Sequence, residues 1–301
     1  MLSKNLIIFL GLILIQVLFG INFATSKVIV GSIDPIIWSN IRFFLAGVGM
    51  LFITLIFKRK HPELNKEFLL PLVPLSLLGM ALGQGLFLFG LKYTTSINTS
   101  IITTSIPILT LVIVVLRKQE KLSLPKFIGF LLAFVGVISI RDLSSVNFGS
   151  ETFIGDLMVL LGALCFALYL SYGKNYLSKF DNMWVTTWMF LISGIVMIFF
   201  NVFKWQEFVM PELTTTLVGA ATYTIIGATL ITYLLNNWIL RNAPSGNVAL
   251  FIYLQPVVAA IVGWKFLNEE ITFRMIISSF LILLGLVCSM LEVAIKKKAE
   301  R

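Results

Sequence analysis

Amide and aromatic side chains recur inside the apolar runs of this sequence, together with one arginine, and these residue types could bind a solute. In hydrocarbon an unpartnered polar group costs several kcal/mol, so such side chains should face other helices or a water-filled path. The set is rich in amides and rings and almost uncharged, which favours a neutral or zwitterionic solute held by hydrogen bonds and stacking. The candidates for a solute cavity are Asn22, Trp38, Arg42, Gln84, Asn98, Tyr169, Trp188, Tyr233, Asn237, Asn247 and Tyr253.

Each candidate also has a purely structural interpretation. Asn98 and Asn247 suit either a cavity or a bond between helices, because an amide has donors and an acceptor that all need partners. Arg42 is the one charged residue well inside an apolar run. Its guanidinium could bind carbonyl groups of neighbouring helices, or it could attract a solute carboxylate in a low-dielectric cavity. The sequence leaves both interpretations open.

The residues that catalysis or metal binding would need are missing from the apolar runs. The one histidine, His61, and the two cysteines, Cys165 and Cys288, are scattered. No acidic residue lies near the middle of a run, and no glycine-rich phosphate loop follows a strand pattern. These absences argue against an enzyme, a resident cofactor, a metal site or ATP-driven transport. They also leave no candidate for a carboxylate proton relay.

The candidate side chains must be positioned by membrane-spanning helices. Of the 301 residues, 58% are hydrophobic and 12% are charged, with a mean hydropathy of +0.97. Soluble domains are about 45–50% apolar and about 25% charged. The sequence therefore predicts an all-α, polytopic membrane bundle. Its ten predicted spans are residues 6–25, 35–57, 69–91, 96–116, 125–141, 154–173, 183–203, 214–239, 245–266 and 273–295.

The basic residues orient this bundle. With the N-terminus inside, 16 of the 23 Lys and Arg residues fall on inner segments and 6 on outer segments. This bias predicts a protein of the cytoplasmic membrane with both termini in the cytoplasm. The net charge of +9 is therefore topological and does not indicate nucleic-acid binding. The expected partners are the lipid bilayer and a small-molecule solute, and the sequence does not distinguish a monomer from a homodimer.

The sequence repeats itself. A shift of 149 residues aligns Ser96, Asn98, Pro107 and Glu120 with Ser245, Asn247, Pro256 and Glu269, and a shift of 147 aligns Lys27 and Asp34 with Lys174 and Asp181. The halves are residues 1–145 and 150–301. Because each half holds five spans, an odd number, the second half should be inverted relative to the first, an architecture used for alternating access. Pro107 and Pro256 are the predicted hinge or kink positions of spans 4 and 9.

Several ordered motifs carry a family resemblance. They are FGINFATSK at 19–27, IRFFLAG at 41–47, GLKYTTSINTSIITTSIPILT at 90–110, GDLMVLLGALCFALY at 155–169 and LQPVVAAIVGWKFLNEE at 254–270. In their order and spacing the chain resembles the EamA-like branch of the drug/metabolite transporter superfamily. The resemblance implies a secondary carrier of small metabolites, commonly amino acids or related compounds, and often an exporter. An uptake carrier for a vitamin, nucleobase or other metabolite remains an alternative, as does a membrane receptor or scaffold that transports nothing.

Overall fold

The fold is helical throughout the described part of the chain. A computed structural model describes residues 4–140, 151–201, 205–206 and 208–267, together with 273, 276–277, 280–285 and 287–288. Within those residues no β-strand occurs. The α-helices bounded there are α1 (Lys4–Val30), α2 (Pro35–Ile56), α3 (Lys66–Ser76), α4 (Gly83–Tyr93), α5 (Ser96–Thr103), α6 (Ser105–Leu116), α7 (Leu124–Ile140), α8 (Glu151–Leu177), α9 (Asn182–Asn201), α10 (Thr215–Ile225), α11 (Thr232–Asn242), α12 (Ser245–Leu250) and α13 (Gln255–Leu267).

Most of these helices form membrane spans. In the described part, eight helical segments are long and apolar enough to cross a bilayer, and Leu124–Gly136 is a shorter apolar helix. Large apolar side chains cover the outside; Phe52, Leu116 and Phe199 are 63%, 77% and 76% exposed. Such a surface suits lipid tails rather than water. The chain is a multi-pass membrane protein, as predicted, while the tenth expected span (273–295) lies mostly outside the described residues.

Two aspartates set the starts of α2 and α9. Asp34 Oδ1 accepts the N–H of Ile36 at 2.9 Å, and Pro35 is the first helical residue. At the start of α9, Asp181 Oδ1 accepts the N–H of Met183 at 3.0 Å. A capping side chain satisfies an N–H group that the helix itself leaves unpaired, and proline is favoured in the first turn.

Two spans contain a wider, π-helical turn in the middle. The first π turn (Leu77–Leu82) joins α3 to α4, and the second π turn (Ile226–Ile231) joins α10 to α11. A π turn inserts a residue into the helix and changes which carbonyl each N–H meets. Gly83 follows the first π turn, and a Cβ there would lie 2.5 Å from the Leu78 carbonyl oxygen. Glycine is therefore required at position 83.

The two proline-bearing spans are interrupted just before their prolines. α5 ends at Thr103, and α6 restarts with Pro107 as its third residue. Likewise a 3-10 segment (Phe251–Leu254) separates α12 from α13, whose second residue is Pro256. Pro107 and Pro256 thus lie in the first turns of α6 and α13, where no N–H is needed. The break itself lies on their N-terminal side.

The bounds of these elements recur along the chain. α3, the first π turn and α4 begin and end 149 residues before α10, the second π turn and α11. α1 and α8 have the same length and lie 147 residues apart. The spacing seen between matching residues in the sequence is therefore also the spacing between matching helix ends.

The pair α2 and α9 packs side by side. Asn40 Nδ2 donates to the Gly194 carbonyl at 2.7 Å, and the hydroxyls of Thr54 and Thr187 lie 3.0 Å apart. Between them the rings of Phe43 and Phe190 stack with centroids 6.3 Å apart. These buried contacts join the first half of the chain to the second near Arg42, which also lies on α2.

Candidate functional site

A small cavity lies where helices of both halves meet. Its volume is about 50 Å³, measured as the space open to the centres of water molecules. One water needs roughly 10–15 Å³ on this measure, so the cavity holds only a few waters in this conformation. Helices α1, α4, α5, α6, α8 and α13 supply its lining, which comprises Phe19, Asn22, Phe23, Gly83, Gln84, Phe87, Thr103, Ile106, Val159, Gly162, Ala163, Phe166 and Gln255.

Three amides line this cavity. Asn22 accepts a hydrogen bond from the Ser26 hydroxyl at 3.2 Å. Gln255 donates through Nε2 to Gln16 Oε1 at 2.7 Å, which ties α13 to α1. Gln84 accepts from Arg42. The amides offer donors and acceptors but no charge, so they can bind a polar solute without adding a formal charge.

Four phenylalanines form most of the apolar wall. The rings of Phe23 and Phe87 meet edge to face with centroids 5.6 Å apart. Phe19 and Phe166 each contact the Tyr233 ring, at centroid distances of 6.1 and 6.4 Å. These four phenylalanines line the cavity and do not face lipid there. They suit an apolar portion of a solute.

Arg42 lies beside the cavity and is fully buried. Its Nη2 donates to the Ala228 carbonyl at 3.1 Å, its Nε donates to Thr229 Oγ1, and its Nη1 donates to Gln84 Oε1 at 3.4 Å. Ala228 and Thr229 belong to the second π turn. The guanidinium therefore joins α2 of the first half to a span of the second half. Arg42 thus binds a carbonyl group of a neighbouring helix, which is its structural interpretation, and only Gln84 separates it from the cavity.

A matching bond holds the first π turn. The Tyr233 hydroxyl donates to the Gly79 carbonyl at 3.0 Å. Gly79 and Ala228 are 149 residues apart, as are Gln84 and Tyr233. At equivalent positions, then, a side chain from the opposite half binds a π-turn carbonyl: Tyr233 on one turn and Arg42 on the other.

A buried hydrogen-bonded network extends from the same place. The Tyr169 hydroxyl donates to Asn237 Oδ1, and Asn237 Nδ2 donates to Thr186 Oγ1 at 2.9 Å. The Tyr169 ring lies 5.3 Å from that of Phe166 and packs over Gly79. Tyr169, Tyr233 and Asn237 are thus brought together next to the cavity, although none of them lines it.

The remaining predicted residues lie apart from the cavity lining. Trp38 is buried with its Nε1 unpartnered in the described part, and it packs in the cluster that contains Phe23 and Phe87. Trp188 lies near His61. Tyr253 packs against Phe130 at 6.1 Å, and Asn247 is half-buried in α12. The side chain of Asn98 falls outside the described residues.

Some residues of the site were not among the sequence candidates. Gln16 and Gln255 were detectable in principle, since each is an amide within an apolar run. Thr103 belongs to a hydroxyl-rich stretch in which single positions look alike. Thr229 carried no signal, because its role depends on the second π turn, which no local sequence pattern predicts.

Contacts between the halves also surround the α6–α7 connection. Glu120 Oε1 accepts the Gly246 N–H at 2.9 Å while its Oε2 pairs with Lys126 Nζ at 2.6 Å. Arg117 Nη1 donates to the Ser171 carbonyl at 3.0 Å, and its guanidinium lies 3.6 Å above the Tyr172 ring. The ion pair is nearly buried, which makes it less screened than a surface pair.

Comparisons with known proteins agree with these features. The profile of the EamA-like transporter family matches residues 6–141 and 153–291. The chain is 26% identical over 280 residues to "Uncharacterized transporter YoaV" of Bacillus subtilis (strain 168), covering 93% of this chain and 95% of that protein. It is also 26% identical to an "Uncharacterized transporter" of Archaeoglobus fulgidus, covering 89% and 92%. A solved structure titled "Crystal structure of protein" has a TM-score of 0.75 at 15% identity, covering 96% and 98%, which supports the fold alone.

Proposed function

Since the chain belongs to the EamA-like transporter family, we propose that it is a secondary transporter of a small neutral or zwitterionic metabolite, an amino acid or related compound. It exports this solute across the cytoplasmic membrane. The observation that carries the proposal is the cavity, because amides and phenylalanine rings from both halves converge on it. Its small volume in this conformation means that the helices must separate before a solute of amino-acid size can enter.

The halves 1–145 and 150–301 act as two inverted five-helix repeats, with ten spans and both termini in the cytoplasm. The recurrence of helix ends at 149 residues supports this architecture. Two inverted halves that meet at a shared cavity can rock against each other and open it to one side at a time. The breaks before Pro107 and Pro256 lie at equivalent places and serve as hinges.

The bonds between the halves distinguish two states of the transport cycle, one in which they are formed and one in which they are broken. The Tyr233–Gly79 and Arg42–Ala228 bonds each cross from one half to the other. Rocking strains these bonds, and the Glu120–Gly246 contact on the predicted inner side separates when the cavity opens to the cytoplasm. Because the Tyr233–Gly79 and Arg42–Ala228 bonds are polar and lie beside the cavity, water can replace them as they break.

Counterflow in proteoliposomes tests the proposed function. Vesicles loaded with a mixture of the twenty standard amino acids are diluted into trace labelled amino acids, and uptake is compared with that of protein-free vesicles. A carrier gives trans-stimulated exchange. Absence of exchange for every amino acid would contradict the proposal in favour of a carrier for another metabolite class or of a protein that transports nothing.

A matched pair of variants locates the transport path. Ala163 lines the cavity, whereas the next residue, Leu164, is exposed on the outer surface. Ala163→Leu should lower exchange several-fold by filling the cavity, and Leu164→Phe should leave it near the wild-type rate. Equal effects of both variants would argue that this cavity is not the path.

A further inference from the structure

Arg42 is a buried cation whose described partners are all neutral. Gln84, Thr229 and the Ala228 carbonyl accept its hydrogen bonds. Among the described residues no carboxylate lies within ion-pair distance of it, since the ion pairs found there are Arg59–Asp181, Lys126–Glu120 and Lys179–Glu67. Burying a charge without a counter-charge is unfavourable. An anion that reaches this guanidinium is therefore strongly favoured.

The side of the guanidinium that faces Gln84 is the most weakly bound. Good N–H···O bonds measure about 2.7–3.2 Å. The bond from Nη1 to Gln84 Oε1, at 3.4 Å, is longer than that, whereas Nη2 and Nε are held on the second π turn. Gln84 is also the partner that lines the cavity. A solute group can thus replace Gln84 while the other two bonds keep the guanidinium in place.

The other walls of the cavity restrict what the rest of the solute can be. Phenylalanine rings dominate the wall, and its polar side chains are uncharged. Among the described residues that line the cavity, none is acidic and able to attract a cation. An arginine fork matches the two oxygens of a carboxylate, and a neutral amide cannot provide the same charge-assisted pair.

We propose that the solute carries a carboxylate that pairs with Arg42 by displacing Gln84, and that the rest of the solute is predominantly apolar. This inference rests on the proposed transport function and names the chemical group of the solute that the site recognises, whether or not the solute also carries an amino group. Solutes that carry only a positive charge are excluded, because they would meet an uncompensated guanidinium in a low-dielectric site.

Matched solutes test the proposal in the wild-type protein. Proteoliposomes are loaded with leucine, methionine and phenylalanine, with the amide of each, and with the deaminated acid of each. Efflux is measured by mass spectrometry after subtraction of leakage from protein-free vesicles. We expect compounds with a carboxylate to leave at least about tenfold faster than the amides, a ratio equivalent to about 1.4 kcal/mol.

Two variants of Gln84 test the role of Arg42 without removing the arginine. Gln84→Glu places a carboxylate against Nη1, imitating the bound solute, and should reduce the acid-to-amide ratio towards one. Gln84→Met removes the weak bond without adding a charge and should keep the ratio. Arg42→Gln should also bring the ratio of acid efflux to amide efflux towards one. If that protein is not recovered in monodisperse form, the Gln84 pair still decides, because both of its variants retain the arginine.

Each outcome bears on the proposal in a different way. Faster efflux of acids that Gln84→Glu abolishes and Gln84→Met preserves supports it. Amides that leave as fast as acids overturn it while leaving transport intact, as does an unchanged ratio in Gln84→Glu. Efflux of neither class, together with absent counterflow, overturns the proposed function and this inference with it.

Discussion

At the scale of single residues, two buried tyrosines differ in whether the hydroxyl group has a hydrogen-bond partner. Tyr169 and Tyr253 are both fully buried. The Tyr169 hydroxyl donates to Asn237, whereas the Tyr253 hydroxyl has no partner within the described part of the chain. Tyr169→Phe leaves a buried amide oxygen without its donor, so we expect a loss of about 1–3 kcal/mol in the free energy of unfolding. Thermal unfolding of the purified protein in detergent measures the change.

Tyr253→Phe is the control for this prediction. It removes a hydroxyl of the same kind from an equally buried ring, but here the hydroxyl is already unpaired. We expect the midpoint temperature of thermal unfolding to be unchanged or slightly higher, because removing an unsatisfied polar group is neutral or favourable. Equal losses in the two variants would show that the Tyr169–Asn237 bond contributes nothing specific.

The residue scale also shows what the sequence could reveal about the site. A lone arginine inside an apolar run stands out because its burial needs partners, and Arg42 does lie beside the cavity. Asn22 and Gln84 stand out for the same reason and line it. Aromatic candidates were less informative, since a buried ring needs no polar partner: Trp38 packs with two phenylalanines of the cavity wall without lining the cavity, and Tyr253 packs against Phe130.

At the scale of helices, the first π turn depends on Gly83. A Cβ at this position would lie 2.5 Å from the Leu78 carbonyl oxygen, which is backbone and cannot rotate away. We expect Gly83→Ala to destabilise the protein by more than the roughly 1 kcal/mol that alanine normally adds to a helix. Because the first π turn presents the Gly79 carbonyl to Tyr233, transport should fall as well. Thermal unfolding and counterflow, measured on the same preparation, check both effects.

Gly219 provides the opposite case within α10. A Cβ there would meet no atom within 4 Å, so Gly219→Ala should raise the free energy of unfolding by about 0.5–1 kcal/mol. A stability loss in Gly219→Ala, or none in Gly83→Ala, would contradict the steric requirement for glycine at position 83, directly after the first π turn.

Helix starts were predictable and helix interruptions were not. Asp34 followed by Pro35 is a local capping signal, and α2 begins there. A π turn has no such signal, because it arises when tertiary contacts satisfy the displaced carbonyls, as Tyr233 and Arg42 do. The prolines indicated where spans 4 and 9 are interrupted, but the same residue type suits a kink and a helix start, so the exact form of the break needed the structure.

At the scale of the whole molecule, the proposed inversion makes a prediction about two exposed loop residues. Ser32 and Lys179 are exposed and lie 147 residues apart, at the same place in each half. If the halves are inverted, these positions lie on opposite sides of the membrane, with Ser32 outside.

With Cys165 and Cys288 changed to alanine, Ser32→Cys should react with an impermeant maleimide in intact cells. Lys179→Cys should react only after permeabilisation, as should Lys60→Cys, an exposed position on the same predicted inner side. Labelling of Ser32→Cys and Lys179→Cys from one side would rule out inverted halves and, with them, the alternating mechanism that depends on the inversion.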